Sequence, residues 1–89
     1  MKRDPVVSSN LASLGYDADA RILEVAFHPG RSGESGVWQY RDVGPALFEE
    51  LRTAPSIGRT FSIIRSRHRG LRVATITPDG VEHRSEDAS

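Results

Sequence analysis

The spacing of the apolar residues changes near Val43, and this change limits what the chain can fold into. Before Val43 apolar side chains recur at every second residue, as at Leu23, Val25 and Phe27, which is typical of strands. After Val43 they recur at every third or fourth residue, which is typical of helices with one apolar face. The sequence therefore predicts an α+β fold in which strands precede helices.

Three strands are predicted in the first half of the chain, at residues 9–16, 21–28 and 37–43. The first two are joined by Asp17-Ala18-Asp19, where short Asp side chains favour a turn by hydrogen bonding to the nearby backbone. Residues 29–36 are rich in Gly, Ser and Pro and are predicted to form a loop. We therefore expect a three-stranded antiparallel sheet.

Two short helices are predicted after the third strand. Pro45 suits the first turn of a helix, where its missing N–H costs nothing, and Pro55 ends that helix. Ser56 can cap a second helix, which fades towards Gly70. Each helix has one apolar face, so we expect both to pack on one face of the sheet.

Trp38 and Tyr40 lie on one face of the third strand, with Gln39 and Arg41 on the other. The aromatic pair is either a stacking platform for bases or part of the core, and the core is favoured because the helices should cover that face. Gln39 and Arg41 would then be exposed contact residues on the opposite face. The predicted core consists of the apolar residues on the covered face and on the helices, namely Leu14, Tyr16, Leu23, Val25, Phe27, Trp38, Tyr40, Leu47, Phe48, Leu51, Ile57, Phe61 and Ile64.

The chain is predicted to hold one domain at residues 7–72. Residues 73–84 surround a Pro-Asp-Gly turn and are predicted to extend the sheet by a C-terminal strand or hairpin. Residues 1–6 and 85–89 are expected to be flexible termini.

Positive charge is concentrated in the second predicted helix and just after it. No acidic residue occurs between Gly58 and Gly70, although the whole chain has twelve Lys and Arg against twelve Asp and Glu. Guanidinium groups pair with phosphates and stack on bases, so the block predicts binding of RNA or another polyanion. Alternatively, the arginines pair with Glu49, Glu50 and the acidic tail while their stems cover apolar surface. The candidate nucleic-acid-binding residues are Arg59, Arg65, Arg67, His68, Arg69 and Arg72.

Other kinds of site have little support in the sequence. The chain has no cysteine, and its three histidines are far apart without a second metal ligand nearby, so no metal site and no cofactor are predicted. Glycines recur at every third residue in the loop at 29–36, as in some phosphate-binding loops. Such a loop is followed directly by a helix, whereas here a strand is predicted to follow, so phosphate binding by this loop is not expected. No serine lies in a nucleophile motif, and we expect no catalytic residue and no enzyme activity.

A cytoplasmic protein is expected. No run of about eighteen apolar residues predicts a membrane span, and the first residues lack the apolar segment of a signal peptide.

Several short motifs follow one another in a fixed order along the chain. The order of these motifs resembles that of the KTSC domain. This domain occurs at the C-terminus of some lysyl-tRNA synthetases and also alone in small bacterial and phage proteins. The resemblance covers residues 7–72. The motifs are Ser8-Ser9-Asn10, Tyr16-Asp17, Leu23-x-Val25-x-Phe27, Trp38-x-Tyr40, Val43-x-Pro45, Ala54-Pro55-Ser56-x-Gly58 and Phe61-x-x-Ile64-Arg65.

The resemblance implies a small module without an established activity, for which RNA binding is the role usually suggested. Trp38 stands where the family has a tyrosine, His68 replaces another tyrosine, and the loop at 29–36 is longer than usual. Our first hypothesis is a non-enzymatic module that binds RNA or another polyanion. The alternative is a protein-interaction or accessory module that docks through Gln39 and Arg41 or through an edge strand, which would also permit a homodimer.

Overall fold

The computed structural model describes residues 1–85, which form one antiparallel sheet with two helices. Consecutive strands are neighbours throughout the sheet, and both helices lie in the connection between its fourth and fifth strands. The α+β class is thus confirmed. In chain order the elements are β1 (Asp4–Pro5), β2 (Leu11–Asp17), β3 (Ile22–Phe27), β4 (Ser35–Tyr40), α1 (Pro45–Thr53), α2 (Ile57–Arg67), β5 (Gly70–Ile76) and β6 (Glu82–Arg84).

The sheet has six strands, so the prediction of three was wrong. β5 pairs with β4 from Tyr40↔Gly70 to Ser35↔Ile76, and β6 pairs with the second half of β5. β1 pairs with β2 over two residues only, which is too short for an alternating pattern to reveal. β5 and β6 extend the sheet as predicted for residues 73–84, although β5 begins earlier, at Gly70, whereas β1 lies in a segment that was predicted to be a flexible terminus.

The helix boundaries follow local chemistry. Pro45 is at the start of α1, and the Ser56 hydroxyl accepts a hydrogen bond from the Arg59 N–H at the start of α2. α2 ends at Arg67, and the N–H of His68 then donates to the Ile64 carbonyl over 2.8 Å. Neither helix in the described part of the chain is long and apolar enough to cross a membrane.

The main core lies between the sheet and the helices. Seven of the predicted core residues are buried there, while Trp38 and five others are half-buried and pack against its edge. Leu11 and Val43 are fully buried as well, although neither was predicted. The seven buried residues are Leu14, Leu23, Val25, Tyr40, Leu51, Phe61 and Ile64. The half-buried ones are Tyr16, Phe27, Trp38, Leu47, Phe48 and Ile57.

The other face of the sheet, called the helix-free face below, is strongly curled. In a flat sheet of six strands the two edges would lie about 24 Å apart. Here Arg3, which adjoins β1 at one edge, forms an ion pair with Glu82 of β6 at the other edge. Curling also buries Ala26, Val37 and Ala74, although no helix covers them.

Both ends of the described chain pack on this sheet. A Cβ on Gly15 would lie 2.5 Å from the Lys2 carbonyl oxygen, so the N-terminal segment rests directly on β2. Residues 1–6, which the sequence assigns to a flexible terminus, thus supply β1 and an ion pair. At the other end, the N–H of Ser85 donates to the Val73 carbonyl, and residues 86–89 of the second predicted flexible terminus lie outside the described part.

Candidate functional site

The arginines of α2 point in different directions around the helix. Phe61 and Ile64 face the core, which fixes the orientation of α2. At about 100° per residue, Arg59 then lies on the side away from the sheet. Arg65 and Arg67 are about 200° apart and lie on opposite flanks of the helix. All three are exposed, but they do not form one row.

Arg69 and Arg41 meet where β5 starts and β4 ends. Tyr40 pairs with Gly70, so the residues just beyond this pair, Arg41 and Arg69, stand side by side. Both are exposed and both line a concavity of about 490 Å³. We call this concavity the cationic groove; it is lined by Gln39, Arg41, Arg69, Gly70 and Leu71.

His68 supports the groove instead of facing it as a free contact residue. Its imidazole Nδ1–H donates to the backbone carbonyl of Arg41 over 3.0 Å. The imidazole is half-buried and connects the residue after β4 to the residue after α2. Arg65 lies near Tyr40: burial raises the pKa of Tyr40, and the positive charge of Arg65 partly offsets that rise.

Arg72 lies apart from the groove. It pairs with Trp38, whose side chain faces the helices, and it lies three positions after Arg69, so the two arginines face opposite sides of the sheet. Its guanidinium donates to the Thr75 hydroxyl over 2.9 Å. The structure therefore brings Arg41, Arg69 and Gln39 together and separates Arg59 and Arg72 from them.

The groove arginines have no carboxylate partner among residues 1–85. Glu49 pairs with Arg52, and Glu82 pairs with Arg3 and Arg84, so neither neutralises Arg41 or Arg69. The same holds in the described part of the chain for the other candidate arginines, namely Arg59, Arg65, Arg67 and Arg72. Glu86, one of the tail acids in the alternative interpretation, lies outside the described residues.

A buried glutamate lies beside the groove on the helix-free face. The Glu24 side chain has no exposed area, and its Oε2 accepts from Arg3 Nη1 over 2.7 Å. Its Oε1 accepts from Gln39 Nε2 over 2.9 Å and from Arg84 Nη1 over 3.0 Å. With Glu82, which pairs with both arginines, these residues form what we call the Glu24 network.

The network holds Glu24 in its ionised form. Burial by itself would raise the pKa of Glu24. The hydrogen bonds from Gln39 and from the two guanidinium groups outweigh burial, so the pKa of this carboxyl lies below its usual value. Two positive and two negative charges balance within the network, so it adds no net charge beside the groove.

The sequence did not reveal Glu24 as a site residue. Strand alternation placed it on the face opposite the core, where a charged residue is ordinarily solvated. One signal was present: Glu24 and Gln39 occupy the polar face of adjacent central strands, where an acceptor and a donor can pair. Its two guanidinium partners come from opposite ends of the chain, which no local pattern connects.

The aromatic strand β4 is used for packing. Tyr40 is 3% exposed and meets Phe61 edge-on at a centroid distance of 5.3 Å. Trp38 is half-buried against the core, so the helices leave no wide aromatic platform for bases on this face. Within residues 1–85, no group of His, Asp and Glu side chains is arranged to hold a metal ion.

Comparison with known proteins assigns the chain to a family. The sequence model of the KTSC domain matches residues 7–65, which is more than half of the chain. The chain belongs to the KTSC domain family. The crystal structure of a KTSC domain protein from Yersinia pestis is similar, with a TM-score of 0.71 and 33% sequence identity. That match covers 81% of this chain and 96% of the Yersinia chain.

A second relative is an uncharacterized protein of Stutzerimonas stutzeri (strain A1501), which is 39% identical over 69 residues. These residues cover 76% of this chain and 90% of that protein. The KTSC match at 7–65 includes Glu24, Gln39 and Arg41. It ends before Arg69, and it also excludes Arg3 and Arg84, so the two guanidinium partners of Glu24 come from the flanking segments.

Proposed function

We propose that this KTSC domain protein is a cytoplasmic, non-enzymatic module that binds RNA or another polyanion through the cationic groove. The observation that carries the proposal is the placement of Arg41 beside Arg69 in one concavity, without a carboxylate partner among the described residues. A phosphate between the two guanidinium groups could accept hydrogen bonds from both. Arg65 and Arg67, on opposite flanks of α2, would add to the positive field without forming one row of contacts.

The field near the groove supports this choice. Residues 59–72 contain Arg59, Arg65, Arg67, Arg69 and Arg72 and no acidic residue, although the whole chain is neutral. Such a local excess of positive charge attracts polyanions and increases their rate of association. The exposed apolar side chain of Leu71 in the groove offers a contact for a sugar or base.

Docking of a protein partner is the alternative, and it is less favoured. An edge strand that adds a partner strand needs a row of free N–H and C=O groups. The described edge strands are only two residues long at β1 and three at β6. The helix-free face is partly covered by the chain's own N-terminal segment and by the Glu24 network.

Fluorescence anisotropy with a labelled single-stranded RNA at 50 and 200 mM salt tests the proposal. Two phosphate contacts, from Arg41 and Arg69, predict an affinity about sevenfold lower at the higher salt. The double variant Arg41→Gln/Arg69→Gln should bind more weakly and reduce the salt slope by about 1.4.

The matched control is Arg59→Gln/Arg72→Gln, which removes the same charge away from the groove. It should change affinity and salt slope much less than the groove variant. Equal effects of the two variants would show diffuse charge attraction and reject the groove. No binding to RNA or polyphosphate at 50 mM salt would reject polyanion binding and favour a protein partner.

A further inference from the structure

The orientation of the Gln39 side chain in the cationic groove is fixed by its hydrogen bond to Glu24. An ionised carboxylate only accepts hydrogen bonds, so the Gln39 group facing Glu24 must be its NH₂. The carboxamide oxygen, Oε1, therefore points away from Glu24. No group among residues 1–85 donates a hydrogen bond to this oxygen.

Glu24 also strengthens the oxygen of Gln39 as an acceptor. An amide whose N–H donates to a charged carboxylate is polarised, because hydrogen bonds in a chain reinforce one another. Glu24 cannot turn away, since Arg3 and Arg84 hold both of its oxygens. Glu24 is thus a positioning residue for Gln39.

Gln39 lies at the meeting point of two concavities. One is the cationic groove, and the other, of about 650 Å³, is lined by Met1, Asp17, Ile22 and Arg84 among others. We call the second one the N-terminal concavity. Met1 and Ile22 give it apolar walls, which suit the flat face of a base.

Asp17 adds a second acceptor to the N-terminal concavity. Its Oδ1 accepts the backbone N–H groups of Asp19 and Ala20, over 3.0 and 3.1 Å, which fixes the carboxylate. Its Oδ2 has no donor among the described residues. The concavity therefore presents acceptors from both Asp17 and Gln39, while the guanidinium of Arg84 in its lining is paired with Glu24 and Glu82, so a ligand group with N–H donors fits beside Asp17 and Gln39.

We propose that Gln39 and Asp17 recognise the exocyclic amino group of an unstacked base in single-stranded RNA whose neighbouring phosphate lies between Arg41 and Arg69. The inference rests on the proposed function, because phosphate binding in the cationic groove places the base. Cytosine and adenine carry such an amino group, whereas uracil presents a carbonyl oxygen in its place. A duplex keeps its bases stacked and paired, so the ligand is a single strand.

Oligocytidine and oligouridine are the matched probes, because cytosine and uracil differ at this exocyclic group. Fluorescein-labelled C8 and U8, together with inorganic polyphosphate as a base-free competitor, would be measured by anisotropy. The wild-type protein should bind C8 about five- to a hundredfold more tightly than U8. Polyphosphate should compete with both.

Two variants separate base recognition from phosphate binding. Gln39→Met keeps the volume but removes the carboxamide, and Asp17→Asn keeps the turn acceptor but replaces the free oxygen with an NH₂ group. Each should reduce the ratio of the affinity for C8 to the affinity for U8, and this ratio is compared with that of the wild type. Asp17 is half-buried in the lining of the concavity and lies outside the core, so its variant remains informative if Gln39→Met fails to fold.

The outcomes distinguish the inference from the function on which it rests. Equal affinity of the wild type for C8 and U8, or a preference that survives in both variants, would overturn base recognition and leave polyanion binding standing. Failure of C8, U8 and polyphosphate to bind would overturn both proposals.

Discussion

The guanidinium of Arg3 lies 2.7 Å from the carboxylate of Glu24, on a sheet face that carries no helix. The same guanidinium also pairs with Glu82, which is 79 residues further along the chain. Three segments distant in sequence, the N-terminal segment, β3 and β6, are thereby held together. This contact keeps the sheet curled and fixes the residue that orients Gln39.

Replacing Glu24 with alanine is expected to lower the free energy of unfolding by about 3 kcal/mol. The variant leaves the largely buried Arg3 and the amide of Gln39 without the carboxylate they contact, and breaking a buried ion pair is costly. Urea denaturation followed by tryptophan fluorescence measures the effect. Glu49→Ala is the matched control, since its pair with Arg52 is exposed and should contribute nothing measurable. Equal stability of the two variants would contradict a stabilising network.

The stability contributed by Glu24 is expected to depend on pH. Its pKa is lowered in the folded state, so its contribution is fully present above the unfolded value of about 4.5 and is lost as the pH falls through the folded value. The difference in unfolding free energy between the wild type and Glu24→Gln should therefore shrink as the pH falls below about 4.5. Denaturation series at pH 7, 5, 4 and 3 would show this trend. A constant difference across the range would contradict it.

Gly70→Ala is expected to destabilise the protein by about 1–3 kcal/mol. A Cβ at this position would lie 2.5 Å from Cε1 of the Tyr40 ring, which is packed in the core and cannot move freely. Gly30→Ala is the control, because nothing lies within 4 Å of the Cβ it would add. Thermal unfolding of both variants compares the two positions. A stable Gly70→Ala protein would mean that Tyr40 is not held against β5.

Phe61→Ala should cost more stability than Trp38→Ala. Phe61 is 2% exposed and contacts both Phe27 and Tyr40 edge-on, so its removal leaves a cavity worth about 3–5 kcal/mol. Trp38 is only half-buried at the edge of the core, and its loss should cost less, about 1–3 kcal/mol. Guanidinium chloride denaturation of the two variants, followed by circular dichroism, gives the order. The reverse order would place the centre of the core at Trp38.

Local sequence patterns were sufficient to predict the helices and the central strands. Pro45 and Pro55 restrict the backbone where α1 starts and ends, the Ser56 hydroxyl caps α2, and the alternation in β3 indicates which side faces the core. The same patterns did not reveal β1, whose two residues are too few to alternate. They also did not reveal that β5 pairs with β4 across the whole helical segment, because a strand pairing over that distance depends on how the helices fold back.

The candidate site, too, was predictable from the sequence only in part. The concentration of arginines between Arg59 and Arg72 is visible in the sequence. In the structure their side chains point in different directions, because the helix turns by about 100° per residue and successive strand residues face opposite sides of the sheet. Only Arg69 came to lie beside Arg41, because the pairing of Tyr40 with Gly70 aligned the two strand ends.

The sequence by itself determined the α+β class, the starts of both helices and most of the core, because these depend on side-chain periodicity and backbone preferences within a few residues. Tertiary structure alone decided that the sheet has six strands, that Glu24 is buried and paired, and that Gln39, Arg41 and Arg69 share one groove. Those features require contacts between residues far apart in the chain. The sheet is held by backbone hydrogen bonds between distant segments, and Glu24 is held by guanidinium groups from both flanking segments.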